Sequence, residues 1–389
     1  VITRPEEFDV TDLYVDLERI VGRRVLMKCE GFNFARSSKL KPALEMVTLA
    51  ERAGVLRPGS TIVETSSGNL GVALSLVAAS RGYRFVCVTD PRSTLLTRQL
   101  MQNLGTEVLV AADPAAGLRL VRRLCAENDG YTWLDQYVNA GAWMAHFRST
   151  GPDILRTVPD LDVLFVGVGS AGTLTGCARY LRQVRPQVRI VAVECVGPGP
   201  RAARRTTSVR TSVRFPVIDM SLVDDLVRVD EAAAIRACRR LALSGFLLGG
   251  GSGMVLAGAL DWLEDNDAAT AVVISPDLGD RYLDTIYQDQ WVKDNYGPKR
   301  WPPVPNTKPR TPKHSSRCPD DRGRRVPAPV HRTDRRLVRR AALRRRPRLR
   351  DGGLPGHHRP AGRRGVPDRP ARAGRRSRVL PRPVRRGRG

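Results

Sequence analysis

Ala35-Arg36-Ser37-Ser38-Lys39-Leu40-Lys41-Pro42 joins an apolar run at 24–29 (Arg-Val-Leu-Met-Lys-Cys) to a stretch at 42–54 whose apolar residues recur three and four apart. The run predicts a short strand, and the spacing predicts a helix closed by Gly54. Pro42 suits the first helical turn, where its missing N–H is not needed. Lys39 is thereby placed at a strand-to-helix junction, held by rigid elements and facing a cleft. A lone lysine there is ordinarily a solvated charge, so its meaning depends on the company it keeps.

Outward from this junction the same grammar repeats. Strands are predicted at 60–64, 84–89 and 106–111, alternating with helices that end near residue 80 or run over 93–104 and 115–127. A second block begins with a strand at 162–168, a helix ending near 184 and a strand at 189–194. Helix 231–244, a glycine run at 249–253, helix 254–264 and strand 271–275 complete it. This alternation predicts βα units around parallel sheets, an α/β fold. Residues 197–216 interrupt the pattern with Pro, Gly and a knot of arginines.

The net charge of +26 invites a nucleic-acid reading until it is divided along the chain. From Pro298 to Gly389 there are 31 Lys and Arg against 5 Asp, which is the whole excess. The preceding residues carry 34 basic and 34 acidic side chains and are neutral. The Arg/Pro/Gly-rich segment 298–389 lacks the apolar content to offset chain entropy, which predicts disorder. It reads either as an arginine-rich arm for nucleic acid or anionic membrane, or as out-of-frame translation of a GC-rich gene. The neutral body, and a tail without interleaved aromatics, argue against nucleic-acid readout. Seven cysteines (29, 87, 125, 177, 195, 238 and 318) are scattered without paired spacing, which predicts buried free thiols in a reducing compartment and implies no metal. With no signal-peptide pattern and no apolar run long enough to span a bilayer, the expectation is a cytoplasmic protein that does not associate with membranes.

Three more junctions carry donor-rich or glycine-rich turns. Gly167-Val168-Gly169-Ser170-Ala171-Gly172-Thr173 lies between a strand and a helix, where small residues let backbone N–H groups approach an anion. A dinucleotide-binding turn looks similar, and Glu194 stands at roughly the spacing such a fingerprint needs. Ser66-Ser67-Gly68-Asn69-Leu70-Gly71 could cradle a carboxylate, or Ser67 and Asn69 could simply cap a helix. Gly249 to Gly253 offers only Ser252 as a hydrogen-bonding side chain, and a flexible loop is the plain alternative. Gln136 and His146 frame a further helix and could be merely structural. Ligands collect at the carboxyl ends of parallel strands. A phosphate cradle, a carboxylate cradle and a lysine together describe a pyridoxal phosphate site better than a nucleotide site.

The order of Asn33 to Lys39, Glu64 to Asn69, Gln136 with Asn139, Thr150-Gly151-Pro152, Gly167 to Thr173 and Gly249 to Gly253 resembles the cysteine synthase family. These are pyridoxal 5'-phosphate enzymes of fold type II, related to the tryptophan synthase β subunit. The resemblance covers residues 5–297 and stops at the tail. It implies two parallel-sheet, three-layer domains: a large cofactor-binding one from 1–40 with 145–297, and a small mobile one at 41–144. It also implies a homodimer acting on small amino-acid substrates.

By this resemblance Lys39 is the lysine that binds the cofactor covalently and acts as the catalytic base. Gly169, Ser170, Ala171, Gly172 and Thr173 receive the cofactor's phosphate, and Asn69 faces its ring oxygen. Ser66, Ser67, Asn69 and Leu70 receive the substrate carboxylate, with Gln136 as a further contact. Three positions depart from the family pattern. Arg36 replaces a glycine and is expected to crowd its turn. Gly251 replaces the serine that meets the pyridine nitrogen; either a small shift lets Ser252, one place on, restore the contact, or the contact is lost. Thr206 to Arg210 replaces a glycine-rich loop.

The segments 67–71, 84–91 and 275–285 resemble one branch, active in siderophore and antibiotic pathways. That branch joins L-glutamate to O-phospho-L-serine, releasing phosphate, on the way to 2,3-diaminopropionate. An O-acetylserine or O-phosphoserine sulfhydrylase shares the same site residues and stays open. So does an inactive relative with a nucleic-acid-binding tail.

Overall fold

The structure is a computed structural model, and it describes residues 1–196, 217 and 219–298. The expectations for the arginine knot at 197–216, the 206–210 loop, Cys318 and the tail beyond 298 lie outside the described residues. Two sheets flanked by helices sit in one compact unit. The first sheet has six strands: β1 (Tyr14–Asp16), β2 (Val25–Cys29), β7 (Val163–Gly167), β8 (Arg189–Val196), β9 (Asp225–Asp230) and β10 (Ala271–Ser275). Their order is β1-β2-β10-β7-β8-β9. The second has four: β3 (Thr61–Thr65), β4 (Arg84–Thr89), β5 (Glu107–Val110) and β6 (Tyr131–Trp133), in the order β5-β4-β3-β6.

Among the described residues, all strand pairings within the two sheets are parallel except one. β1 runs antiparallel on β2, Val15 opposite Met27, and closes an edge of the larger sheet. The remaining strand pairings are parallel as expected; three residues, Tyr-Val-Asp, carry too little pattern to announce this edge strand.

Burial on both faces explains why the strands read as continuous apolar runs. In β7, Val163 and Phe165 pack into one core while Leu164 and Val166 pack into the core on the other side. β10 divides in the same way, Ala271 and Val273 against Val272 and Ile274. In the smaller sheet Ile62, Phe85 and Cys87 face one core and Val63, Val86 and Val88 the other. Each face must therefore be covered by helices. The ones that position the site are α2 (Leu40–Arg52) and α3 (Asn69–Arg81), after a short α1 (Glu18–Val21). They are followed by α4 (Leu95–Asn103), α5 (Pro114–Glu127), α6 (Gly141–Arg148), α7 (Thr150–Thr157) and α8 (Gly172–Val184).

The glycine run at 249–253 is not a loop. Helix Gly250–Asp265 begins inside it. A Cβ at Gly253 would collide with the carbonyl of Ala234 and the sulfur of Cys238, so the run lets this helix lie against helix Glu231–Leu243. Cys29, Cys87, Cys177 and Cys238 are buried free thiols as expected, while Cys125 and Cys195 are half-buried. Among the described residues no helix is long and apolar enough to cross a membrane.

Candidate active site

Both sheets deliver their strand ends to one cleft of about 790 Å³. Its wall takes Lys39 from the β2–α2 junction, residues 65–70 from β3–α3, Gln136 from the segment after β6, and residues 167–173 from β7–α8. Gly250, Gly251, Pro276 and Asp277 close it.

Lys39 caps α2, and Pro42 falls in that helix's first turn. The loop before it is tied down at both ends. Asn33 Nδ2 donates to the Ser37 carbonyl at 3.1 Å, and Ser38 N donates to the Pro276 carbonyl at 2.7 Å. Arg36 adopts a left-handed φ of +53°. Its side chain escapes to solvent and pairs with Asp280 at 3.7 Å, so nothing is crowded. The cost of placing a residue other than glycine here is backbone strain of about 1–2 kcal/mol.

The Lys39 amine projects into the cleft and donates to Ser170 Oγ at 2.7 Å. Among the described residues no carboxylate forms an ion pair with it, and burial alone pulls its pKa down to about 8. Roughly a tenth of the amine is therefore unprotonated and nucleophilic at pH 7, far more than for an ordinary lysine. Ser170 belongs to the turn that opens α8. There Ala171, the N-cap of α8, takes a left-handed φ of +60°, and residues 169–173 line the cleft, as an anion-receiving helix start would.

The carboxylate-type turn is built differently. Ser66 Oγ accepts from Gly71 N at 2.9 Å and Gly68 N at 3.3 Å, fixing the start of α3 while Ser67 and Leu70 line the cleft. Gln136 approaches from β6, its Nε2 donating to the Thr65 carbonyl at 3.3 Å. Glu64 joins these two segments from behind. Its carboxylate accepts from Thr65 N (2.8 Å), Gln136 N (3.2 Å) and Trp133 Nε1 (3.3 Å). Burial pushes this carboxyl up to about 7 despite those three donors.

Asn69 lies in the cleft wall, its amide held by two partners the sequence reading missed. Its Nδ2 donates to Asp277 at 2.9 Å, and its Oδ1 accepts from Arg281 at 2.7 Å. Arg281 also donates to the Ala35 carbonyl at 2.6 Å, which binds the 275–285 segment to the lysine loop. The signal was present as a quoted motif, but its contacts span more than 200 residues and no local pattern reveals them. Arg92 and Asp90 also reach the cleft unforeseen, as a forked pair at 2.7–2.8 Å.

Ser252 does not join the cleft. It is fully buried, its hydroxyl shared with Ser275 Oγ at 2.7 Å, and Gly251 rather than Ser252 lines the wall. The physical reason is helical phase. Inside the first turn of Gly250–Asp265, neighbouring positions point about 100° apart, so one place on is another direction.

Comparison with known proteins bears directly on this geometry. The profile of the family described as "Pyridoxal-phosphate dependent enzyme" matches residues 11–277. The chain belongs to this family. Its relatives include the N-(2-amino-2-carboxyethyl)-L-glutamate synthase of Cupriavidus metallidurans, 33% identical over 298 residues that cover 72% of this chain and 87% of the relative. The protein of the same name from Ralstonia nicotianae is 35% identical over 299 residues, with the same coverage. Among solved structures, O-ureido-L-serine synthase superposes with a TM-score of 0.67 at 32% identity, covering 73% of this chain and 94% of that one. A hydrogen sulfide-producing enzyme from Fusobacterium nucleatum superposes with a TM-score of 0.66 at 27% identity, covering 73% and 98%. This chain is thus a fold-type II, cysteine synthase-like enzyme that depends on pyridoxal phosphate. It performs β-replacement on a small amino-acid substrate.

The residues present fit that cofactor. A buried amine with no carboxylate ion-pair partner among the described residues stands 2.7 Å from a hydroxyl of a helix-opening turn suited to phosphate, inside a cleft wide enough for a pyridine ring. No group of His, Cys, Asp and Glu among the described residues could hold a metal ion.

Proposed function

We propose that this enzyme joins L-glutamate to O-phospho-L-serine, forming N-(2-amino-2-carboxyethyl)-L-glutamate and releasing phosphate. The observation that carries this reading is the 33–35% identity, over 87% of their length, to two relatives named for that product.

In this reading Lys39 binds the cofactor, Gly169 to Thr173 hold its phosphate, and Asn69 stands beside its ring. The bound cofactor supplies an electron sink for charge at the substrate's α carbon. Ser66, Ser67, Asn69 and Leu70, with Gln136, orient the substrate carboxylate through the open N-terminus of α3. Lys39 takes the proton from the α carbon, a task suited to an amine whose pKa is near 8. The C–O bond to phosphate then breaks at the β carbon, a C–N bond to the glutamate amine forms there as that amine loses a proton, and Lys39 returns a proton to the α carbon. Ser252 has no part in this scheme. Residues 41–144 act as a small domain closing on 1–40 and 145–297, and a homodimer belongs to the same proposal.

A sulfhydrylase is the competing reading, because the site residues named above serve sulfide as a nucleophile equally well. The test gives the loaded enzyme O-phospho-L-serine with either L-glutamate or sulfide and identifies the product by mass spectrometry. The glutamate adduct is expected. Cysteine formed without any glutamate adduct overturns the proposal.

A further inference from the structure

Behind the phosphate-type turn lies a buried chain of polar side chains that the reaction scheme does not use. His146, on α6, is 1% exposed, and both ring nitrogens are engaged. Nδ1 lies 2.9 Å from Thr150 Oγ1, and Nε2 lies 3.1 Å from Thr173 Oγ1. Thr150 Oγ1 is in turn 3.3 Å from Lys41 Nζ. Lys41 pairs with Glu30 at 2.7 Å and Asp9 at 3.6 Å, and Glu30 also pairs with the fully buried Lys28 at 3.1 Å. The approach of α6 to α8 depends on two glycines. A Cβ at Gly172 would strike the Ala142 carbonyl, and one at Gly176 would strike His146 itself at 2.7 Å.

One end of the chain is fixed: an ammonium only donates, so Thr150 Oγ1 accepts from Lys41. A hydroxyl keeps one proton and a second lone pair, so it can face Nδ1 either way; when its proton goes to Nδ1, the ring proton sits on Nε2 and is donated to Thr173 Oγ1. The Thr173 hydroxyl, having accepted, has one proton left and the cleft to point it at. Burial, with Lys41, Lys39 and Lys28 nearby and only Glu30 opposing, pushes the imidazolium pKa down to about 3, so the ring stays neutral.

We propose that His146 is a positioning residue: fixed as the Nε2–H tautomer, it donates to Thr173 and so aims the Thr173 hydroxyl proton at an anion in the Gly169–Thr173 turn. This rests on the reading that the turn receives the cofactor's phosphate. Consecutive donors polarise one another, so the chain relays part of the Lys41 charge to that anion while the ammonium stays paired behind the helix.

Two measurements on the full-length chain test it. In the cofactor-free protein labelled with 15N-histidine, the resonances lost in His146→Gln should report a neutral ring protonated on Nε2 from pH 6 to 8. A ring protonated on Nδ1, or a doubly protonated one, overturns the proposal. Titration of inorganic phosphate should then show about tenfold weaker binding for Thr173→Val and near-native binding for Thr173→Ser. His146→Leu should weaken phosphate several-fold in the native background and leave Thr173→Val unchanged. Additive losses in that double variant overturn the relay. A native chain that binds neither phosphate nor cofactor overturns the site reading and the relay with it. One that binds both while His146 carries the other tautomer overturns the relay alone.

Discussion

The junctions at 167–173 and 249–253 are both rich in glycine and both follow an apolar run, yet Gly169 opens onto the cleft while Gly253 opens onto a helix. At Gly169 a Cβ would meet nothing within 4 Å, because the neighbouring space is the cleft. At Gly253 a Cβ would meet the Ala234 carbonyl and the Cys238 sulfur, because the neighbouring space is helix Glu231–Leu243. The same lack of side chain serves close approach in both. What differs is the partner, and that is a property of the assembled fold. A glycine-rich turn therefore predicts proximity to something without saying to what.

Adding one methyl group at each junction separates the two cases. Gly253→Ala should lower stability by about 3 kcal/mol, since the colliding atoms include backbone that cannot turn aside. Denaturant unfolding would show it. A loss below about 0.5 kcal/mol would mean the helices are farther apart than described.

The third junction, 65–71, extends the contrast because a titrating side chain supports it. Glu64 has a folded pKa near 7 against an ordinary 4.5, so the folded protein holds a proton the unfolded chain has lost between those values. Stability from this group is present below about pH 4.5 and declines as pH rises through 7. Glu64→Gln removes the titration. The melting temperature of native protein relative to this variant should fall between pH 5 and pH 8, by the equivalent of roughly 2 kcal/mol. A constant difference across that range would place the Glu64 pKa outside it.

Gly169→Ala should be the mirror image of Gly253→Ala. Stability stays within about 0.5 kcal/mol, as at sites without steric conflict. Cofactor affinity, followed by absorbance titration, falls about tenfold as the methyl group occupies room meant for the phosphate. Unchanged affinity would move the phosphate away from this turn.

How much of this was legible follows from the range of each signal. The βα rhythm was, because strands buried on both faces leave apolar runs such as 163–167 and 271–275 that announce themselves locally. The lysine, the Gly169–Thr173 turn and the Ser66–Leu70 turn were legible too, as residue types at strand ends. The three-residue strands β1 and β6 were too short to show a period. β9, Asp-Leu-Val-Arg-Val-Asp, is flanked by charge and follows the irregular 197–216 stretch. The Asn69–Asp277–Arg281 lock joins positions 208 and 212 residues apart, and sequence order says nothing about such distances. Arg36 was legible as a departure from a glycine, but its left-handed φ and its ion pair with Asp280 needed the fold.

Ser252 gives the smallest effect and the sharpest discrimination between the glycine-rich junctions. The family pattern puts a hydroxyl beside the pyridine nitrogen, and Ser252 was the candidate to supply it from one place along. In the structure its hydroxyl is instead committed to Ser275, at the end of β10, and to the Asp277 carbonyl at 3.4 Å. If those two bonds are its whole role, Ser252→Ala loses both, about 1–2 kcal/mol of stability, and strands the Ser275 hydroxyl. Cofactor affinity and the absorption maximum of the bound cofactor should then match the native enzyme. The counterpart at the other junction, Ser170→Ala, should do the reverse, sparing stability while weakening the hold on the cofactor beside Lys39. A shifted absorption maximum in Ser252→Ala would show that its hydroxyl reaches the ring after all, and the helix would have to turn by about 100° to allow it.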